Sequence, residues 1–235
     1  RIDADLRLAE FEDRMLIRVD RHLAKQSAKA LDAFIFAEDA QITDASDKYH
    51  RFSIHGPTAP QLITHTFTNT DAVPELNQNE NTTVTFQDHT VLVERDDICG
   101  EPGLAITLPL EQTKPIYEAL LAAADTHPQL KARPTGWMAL NAARIEAGHP
   151  LFNLDFGDSN LPVESGIIEQ RVNFTKGCYL GQEVVARMHA RGAGARKVVA
   201  VRIEDQRITP EHTEILQPTT GSQIFQVGKE NESAV

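Results

Sequence analysis

The amino-acid sequence predicts an α+β protein built on antiparallel sheets. The predicted strands are short, several connections between them have hairpin length, and helices are interspersed among the strands. This pattern favours antiparallel sheets over a doubly wound parallel sheet. The sequence contains no G-x-G-x-x-G dinucleotide loop, no G-x-x-x-x-G-K-[ST] phosphate loop and no H-E-x-x-H motif.

The N-terminal third is predicted to mix strands with two helices. Apolar residues recur near the helical period after Asp20, which is suited to an N-cap, and alternate with polar ones around residue 50. The predicted elements are strands at 14–19, 41–44 and 49–55, a helix over 20–36, and a helix opened by Pro57 or Pro60.

The middle of the chain opens with a polar stretch over 69–83, rich in Asn, Thr, Asp, Glu and Pro, which we interpret as an exposed loop or linker. A hairpin-like pair, a strand and a helix follow; they span 83–87 with 90–94, 105–109 and 115–124. The next helix has the strongest boundary signals: Thr135 is a candidate cap, Gly148 a stop, and Pro150 forbids continuation. A last strand is predicted at 197–203.

Composition excludes several classes of function. The net charge of −11 over 235 residues argues against a nucleic-acid-binding surface, although Arg187, Arg191, Arg196 and Lys197 form a local basic group that suits a small anion. Two cysteines suit a reducing compartment, so we predict a cytoplasmic protein. No apolar run approaches the roughly 20 residues that span a bilayer, so we predict no membrane partner.

The stretch 174–183 places Cys178 between Lys176 and Tyr179, framed by two glycines and followed by a predicted short helix. A helix start, Lys176 and Arg187 would all favour the thiolate over the thiol. The alternative is a glycine-rich turn with a small packed cysteine. From chemistry alone both interpretations stay open. Cys99, in the turn-like segment 97–102, is more simply explained as incidental than as a partner of Cys178.

Three other charged residues are candidates for a binding site. Arg144 and Glu146 lie near the end of the helix that Gly148 stops, where they would otherwise form only a solvated helix end. Glu164, in a predicted turn, could receive two hydrogen bonds from a guanidine-like heterocycle, or it could simply cap a helix. The histidines show no metal-ligand spacing, so no metal site is predicted.

The order of these segments is more specific than any one of them. Arg-Ile-Glu-Ala-Gly at 144–148, Pro-Val-Glu at 162–164 and Lys-Gly-Cys-Tyr-Leu-Gly-Gln-Glu at 176–183 resemble the YgfZ/GcvT family, which includes the aminomethyltransferase T-protein of the glycine cleavage system. The K-G-C-Y-x-G-Q-E string resembles the YgfZ branch, because the T-protein branch lacks the cysteine. The resemblance is firm over 135–196 and looser over 14–124.

The resemblance implies the aminomethyltransferase fold, with antiparallel sheets around a central folate channel and a small C-terminal barrel that is incomplete here. It implies an N-terminal α+β part at 1–70 with its leading segment missing, a second α+β domain at 71–190 carrying the folate and cysteine motifs, and the start of the barrel at 191–235. The T-protein's catalytic aspartate is expected to lie in the missing segment.

The resemblance also implies a ligand, tetrahydrofolate or a folate derivative, and a set of site residues. Cys178 would be the functional thiol, and the folate-binding candidates are Glu146, then Glu164, with Arg144, Arg187, Lys176 and Tyr179. The implied function is a folate-binding YgfZ-type protein that supports iron–sulfur cluster assembly or repair, with iron–sulfur proteins or assembly factors as partners. The alternatives are a folate-dependent aminomethyltransferase and a non-catalytic scaffold.

Overall fold

Two antiparallel sheets organise the protein. A computed structural model of the chain describes residues 1–192 and 196–202. A two-stranded sheet and a four-stranded sheet account for the strands of this part, and every strand pair in them is antiparallel. The strands are β1 (Arg7–Glu10), β2 (Met15–Arg18), β3 (Tyr49–His55), β4 (Asn81–Phe86), β5 (His89–Arg95) and β6 (Gly103–Pro109). The predicted α+β class with antiparallel sheets is confirmed.

The four-stranded sheet has the order β3-β6-β5-β4. β4 and β5 form the predicted hairpin, in which Phe86 pairs with His89 across a two-residue turn. Gln87 in that turn has a φ of 53°, which the twist of a tight hairpin requires. β3 lies before residue 70 and the other three strands after it, so strands from both sides of that position share one sheet. The predicted domain boundaries stay a prediction.

In the described part of the chain, six helices accompany the sheets, with short 3-10 turns between them. The helices are α1 (Ala24–Asp32), α2 (Ala59–Thr66), α3 (Thr113–Thr126), α4 (Trp137–Glu146), α5 (Ile168–Arg171) and α6 (Gln182–Arg191). The turns are Arg21–Leu23, Val73–Glu75, Leu110–Gln112, Pro128–Leu130 and Pro162–Glu164. Pro60 lies in the first turn of α2, where its missing N–H costs no hydrogen bond.

The main hydrophobic core lies where α2 and α3 pack together against the four-stranded sheet. On α3 the buried residues Ile116, Leu120 and Ala124 recur every four positions and so face the sheet together. β6 is an inner strand of the sheet, and Leu104 and Ile106 on it have no exposed surface. An inner strand covered on both faces explains the almost continuous apolar run at 104–108.

A second, smaller hydrophobic cluster holds the C-terminal part of the described chain in place. Its buried members are Phe152, Phe156 and Ile167, and the rings of the two phenylalanines meet edge to face with centroids 5.7 Å apart. Side chains from distant parts of the chain pack against it, namely Ile2, Leu23 and Val198. This cluster lies among the segments that carry the candidate site residues.

Three predicted elements were wrong in their structure or extent. Residues 41–44 form no strand, since within the described chain they have no strand to pair with. The helix predicted over 20–36 is shorter, running over Ala24–Asp32 after a 3-10 turn. The segment 69–83, predicted as an exposed loop, contains the 3-10 turn Val73–Glu75, and Val73 in this turn is fully buried.

Two predictions at the ends of elements were also wrong. Thr135 does not cap α4; Gly136 takes the N-cap position with an extended backbone and offers no side-chain hydrogen bond. Residues 197–202 form no strand, and residue 203 of that prediction lies outside the described residues. The C-terminal barrel predicted at 191–235 falls mostly outside them as well.

Candidate functional site

Arg144 lies at the last turn of α4 and is 3% exposed, whereas the sequence suggested a solvated helix end. Its guanidinium donates to the Asn141 side-chain oxygen from Nε at 2.8 Å and from Nη2 at 2.6 Å. It also donates to the backbone oxygen of His149 at 3.1 Å and to both carboxylate oxygens of Asp155. These contacts use all five N–H donors of the side chain, so none is left for a ligand.

The contacts of Arg144 fix the loop that follows α4. Asp155 accepts a hydrogen bond from the Leu151 backbone N–H at 2.7 Å as well as those from Arg144. Gly148 ends the helix with a φ of 68°, a conformation that glycine adopts without strain. We call the set Asn141, Arg144, His149 and Asp155 the arginine clamp. It makes Arg144 a positioning residue for the end of α4.

Glu146, two residues after Arg144, points the other way. Its side chain is exposed and forms no hydrogen bond or ion pair with any residue that the structure describes. The arginine clamp holds the backbone on which it sits. A carboxylate that is unpaired and anchored on a fixed helix end can accept a pair of hydrogen bonds from a ligand.

Glu164 is 6% exposed and takes part in the local structure. Its Oε2 accepts hydrogen bonds from the Leu161 backbone N–H at 3.1 Å and from the Asn160 side chain at 3.3 Å. The turn Pro162–Glu164 therefore forms a capping arrangement, as the alternative interpretation of the sequence expected. This carboxylate is much less available than that of Glu146.

Cys178 is exposed in the turn that leads into α6. The turn is shaped by Asn173, whose side-chain oxygen accepts the backbone N–H groups of Thr175 at 2.8 Å and Lys176 at 3.0 Å. Gly181 has a φ of 82° at the N-cap of α6. The predicted short helix after the thiol is confirmed, and a packed cysteine is ruled out.

The two residues that flank Cys178 in the motif, Lys176 and Tyr179, contact each other. The ammonium of Lys176 lies 5.1 Å from the centre of the Tyr179 ring, within cation–π distance. The Tyr179 hydroxyl is buried and has no hydrogen-bond partner among the described residues. Arg187, on α6, is exposed and its side chain is unpaired within the described chain.

The structure brings Glu164 and the cysteine motif together. α6 contacts the turn Pro162–Glu164, and the backbone oxygen of Glu164 accepts the Val198 N–H at 3.0 Å. Arg144 and Glu146 instead belong to the end of α4 and the loop after it. The sequence candidates therefore form two groups.

A cluster of charged residues that sequence analysis missed lies between the two sheets. Asp96, 3% exposed, pairs with Arg7 at 2.7 Å and with Arg51 at 2.8 Å, and Arg18 pairs with Glu94 at 2.5 Å. Burial, with the nearby charge of Arg51, lowers the pKa of Arg18 to about 10. We call these five residues the Asp96 cluster.

Two histidines lie within electrostatic reach of the Asp96 cluster. Burial lowers the pKa of His55 and that of His149, and Asp96 opposes both shifts. Burial also raises the pKa of the Cys99 thiol, and Asp96 adds to that rise. One signal in the sequence could have predicted this cluster. Glu94 directly follows three apolar residues of β5 that are buried, and a carboxylate buried beside them requires a positively charged partner.

The structure adds two findings on metals and membranes. Within residues 1–192 and 196–202, no group of three or more His, Cys, Asp or Glu residues is placed to hold a metal ion. In the same part of the chain, every helix is too short or too polar to cross a lipid bilayer.

Comparison with known proteins places these features in a family context. The family model of the GCVT N-terminal domain matches residues 1–176. An aminomethyltransferase of Lysinibacillus sphaericus is 28% identical over 193 residues, which cover 82% of this chain and 48% of that protein. An aminomethyltransferase of Staphylococcus epidermidis is 29% identical over 161 residues, 67% of this chain and 41% of that protein.

Among solved structures, the glycine cleavage system aminomethyltransferase T of Bartonella henselae superposes with a TM-score of 0.61 at 20% sequence identity. The superposition covers 80% of this chain and 49% of that one. It establishes a GcvT-like fold for the matched region. The chain spans about half the length of the curated relatives and of the structure that it matches.

Proposed function

Because this chain belongs to the GCVT N-terminal domain family, we propose that it binds tetrahydrofolate and supplies the folate-binding part of an aminomethyltransferase-type protein. The curated relatives described above carry the name aminomethyltransferase. We place the folate at the end of α4, where Glu146 would accept hydrogen bonds from the pterin ring.

One observation carries this proposal: Glu146 is exposed and unpaired within the described residues, while Arg144 beside it has no donor to spare. Among the two carboxylates that the resemblance singles out, Glu146 fits a pterin and Glu164 is already occupied by its capping hydrogen bonds. Arg144 acts on the ligand only through the loop that it holds. From the resemblance we also propose folate contacts for Lys176, Tyr179 and Arg187, which belong to the other group of candidates, around the cysteine motif and α6.

Calorimetric titration of tetrahydrofolate into the chain tests the site. Glu146→Gln should weaken binding by about tenfold or more, because a hydrogen bond to a charged group is lost. Glu118→Gln removes another exposed carboxylate, on α3, and is the control, for which we expect unchanged affinity. Absence of binding to the unaltered chain, or equal losses in both variants, would refute the proposed site.

The transfer activity needs a separate assay. We expect the full-length protein to form methylenetetrahydrofolate from tetrahydrofolate and an aminomethyl-carrying protein substrate, with release of ammonia and of the carrier free of its aminomethyl group. Folate binding without any turnover by the full-length protein would reject the transferase and leave a folate-binding accessory protein.

Such an accessory role is a second candidate, and the exposed Cys178 favours it. In this alternative, a YgfZ-type protein, the thiol supports iron–sulfur cluster assembly or repair and folate is a ligand. Cys178→Ser should then leave folate affinity unchanged but abolish the support of iron–sulfur enzymes in cells that lack the protein. Cys99→Ser is the control, and full complementation by both variants would exclude this candidate.

A further inference from the structure

The Asp96 cluster contains more positive than negative groups. Three guanidinium groups, those of Arg7, Arg18 and Arg51, face two carboxylates, those of Glu94 and Asp96. One positive charge is therefore left uncompensated inside the cluster, in a chain whose overall charge is −11. Charge that is buried without compensation is costly, so a site of this kind favours an anion.

Unpaired polar atoms surround the same carboxylate. Arg51 Nε, His55 Nδ1 and His149 Nε2 are each buried and form no hydrogen bond with any described residue. Arg51 binds Asp96 directly through Nη2, and the two histidines lie within electrostatic reach of it. Most buried polar atoms in proteins have a partner, so these three atoms show that the hydrogen bonding beneath the arginines is incomplete.

The cluster can be reached from solvent. The side chain of Arg51 is 32% exposed and that of Arg18 is 24% exposed, whereas Asp96 beneath them is 4% exposed. The anchored carboxylate thus lies below, with the guanidinium groups partly open above it. A ligand from solvent can therefore meet only the exposed parts of the Arg51 and Arg18 guanidinium groups.

We propose that the Asp96 cluster is a carboxylate-binding site in which a ligand carboxylate accepts hydrogen bonds from the partly exposed guanidinium groups of Arg51 and Arg18. A guanidinium matches the two oxygens of a carboxylate, and one carboxylate cancels the one excess charge of the cluster. A phosphate would overcompensate, because it carries close to two negative charges at neutral pH. The proposal is independent of the folate site at Glu146.

The first test follows the arginine Nε–H signals by nitrogen-edited NMR while sodium acetate is added, with sodium chloride at equal ionic strength as the reference. We expect the Arg51 signal to move with acetate in a saturable manner and to stay in place with chloride. An Arg51 signal that responds equally to both salts, or to neither, would show a purely structural ion cluster and overturn the proposal.

The second test compares variants of equal charge. Arg51→Lys keeps the positive charge but loses the fork, and it should weaken acetate binding by about tenfold. Arg21→Lys makes the same change in an exposed ion pair with Asp47 and should have no effect. Circular dichroism verifies that both variants are folded, and His149→Gln provides a second probe if Arg51→Lys is not. Equal acetate affinity in all folded variants would contradict the proposal.

The carboxylate could come from a small free acid or from the glutamate tail of a folate. Competition at the Arg51 signal between glutarate and p-aminobenzoylglutamate, which carries the tail without the pterin, separates these sources. Tighter binding of p-aminobenzoylglutamate assigns the site to the tail, and tighter binding of glutarate assigns it to a small acid. A failure of folate binding at Glu146 would leave the acetate titration intact, so the two proposals fail separately.

Discussion

Arg144 and Asp155, eleven positions apart, form an ion pair in which the guanidinium side chain is 4% exposed and the carboxylate is 27% exposed. The same carboxylate binds the backbone of Leu151, and the same guanidinium binds the backbone of His149. The pair therefore closes both ends of the loop behind the helix that carries Glu146. The placement of the Glu146 carboxylate therefore depends on the ion pair between Arg144 and Asp155.

Arg144→Ala should lower the free energy of unfolding by about 3 kcal/mol, since it removes one partner of a buried ion pair and leaves the other uncompensated. Urea unfolding monitored by circular dichroism measures this. Arg21→Ala, in an exposed pair with Asp47, should change the free energy by about 0.5 kcal/mol or less. Similar losses in both variants would mean that the arginine clamp has no special role.

Gly103 faces His55 across the β3–β6 ladder, and a Cβ there would lie 2.2 Å from the backbone oxygen of Asp96 and 2.6 Å from Nδ1 of His55. Because the backbone atom cannot move aside easily, Gly103→Ala should lower the free energy of unfolding by about 3 kcal/mol. Gly157→Ala is the control, since the nearest atom there is at 3.8 Å. Thermal unfolding that finds the two variants equally stable would contradict this close approach.

The two thiols should differ in reactivity. Cys178 is exposed, whereas Cys99 is partly buried and burial raises the pKa of its thiol, which keeps it protonated. Timed alkylation of the native protein with iodoacetamide at about pH 8, followed by peptide mass spectrometry, should label Cys178 first. The Cys178→Ser variant should retain only the slow phase. Faster labelling of Cys99 would be inconsistent with the structure.

His149 should make the protein less stable in acid. Burial lowers its pKa below the ordinary value of 6.5, although Asp96 and Asp5 oppose the shift and Arg7 and Arg171 add to it. The unfolded chain then binds the proton more readily, so the contribution to stability is complete above about pH 6.5 and is lost as pH falls below it. Urea unfolding at about pH 8 and about pH 5 measures the difference. His149→Gln should show a smaller loss between the two; an equal loss would exclude His149 as the cause.

Local patterns were enough to predict much of the fold. The alternation over Tyr49–His55 and the paired apolar runs around Asp88 identified three strands of the larger sheet, and the apolar run at 105–109 identified the fourth, because each pattern depends on neighbours in sequence. Residues 41–44 were also predicted to form a strand but have no partner strand within the described chain. Strand formation there depends on tertiary pairing that no local pattern contains.

The candidate site was harder to predict, for a physical reason. Arg7, Arg51 and Asp96 come from three separate strands or strand ends, and only the folded sheets bring them together. In the sequence, Arg144 resembles any charged residue near a helix end. Its ion pair with Asp155 forms only because the loop after α4 folds back onto the helix. Glu146 and Cys178 were selected from the sequence by the motifs that contain them, and both are exposed in the structure.

The strand order β3-β6-β5-β4 has a consequence for how the chain folds. β4, β5 and β6 follow one another along the chain and can pair through short turns, whereas β3 reaches β6 only after the long intervening segment has been closed. We expect the meander to form in the transition state and β3 to join later. Substitutions at Val91 in β5 should therefore slow folding, and substitutions at Phe52 in β3 should mainly speed unfolding, which stopped-flow kinetics can distinguish. The reverse pattern would place the first pairing at β3.

If β3 does join last, the contacts that Arg51 makes with Asp96 are among the final ones to form. The Asp96 cluster between the sheets is then assembled only as folding is completed.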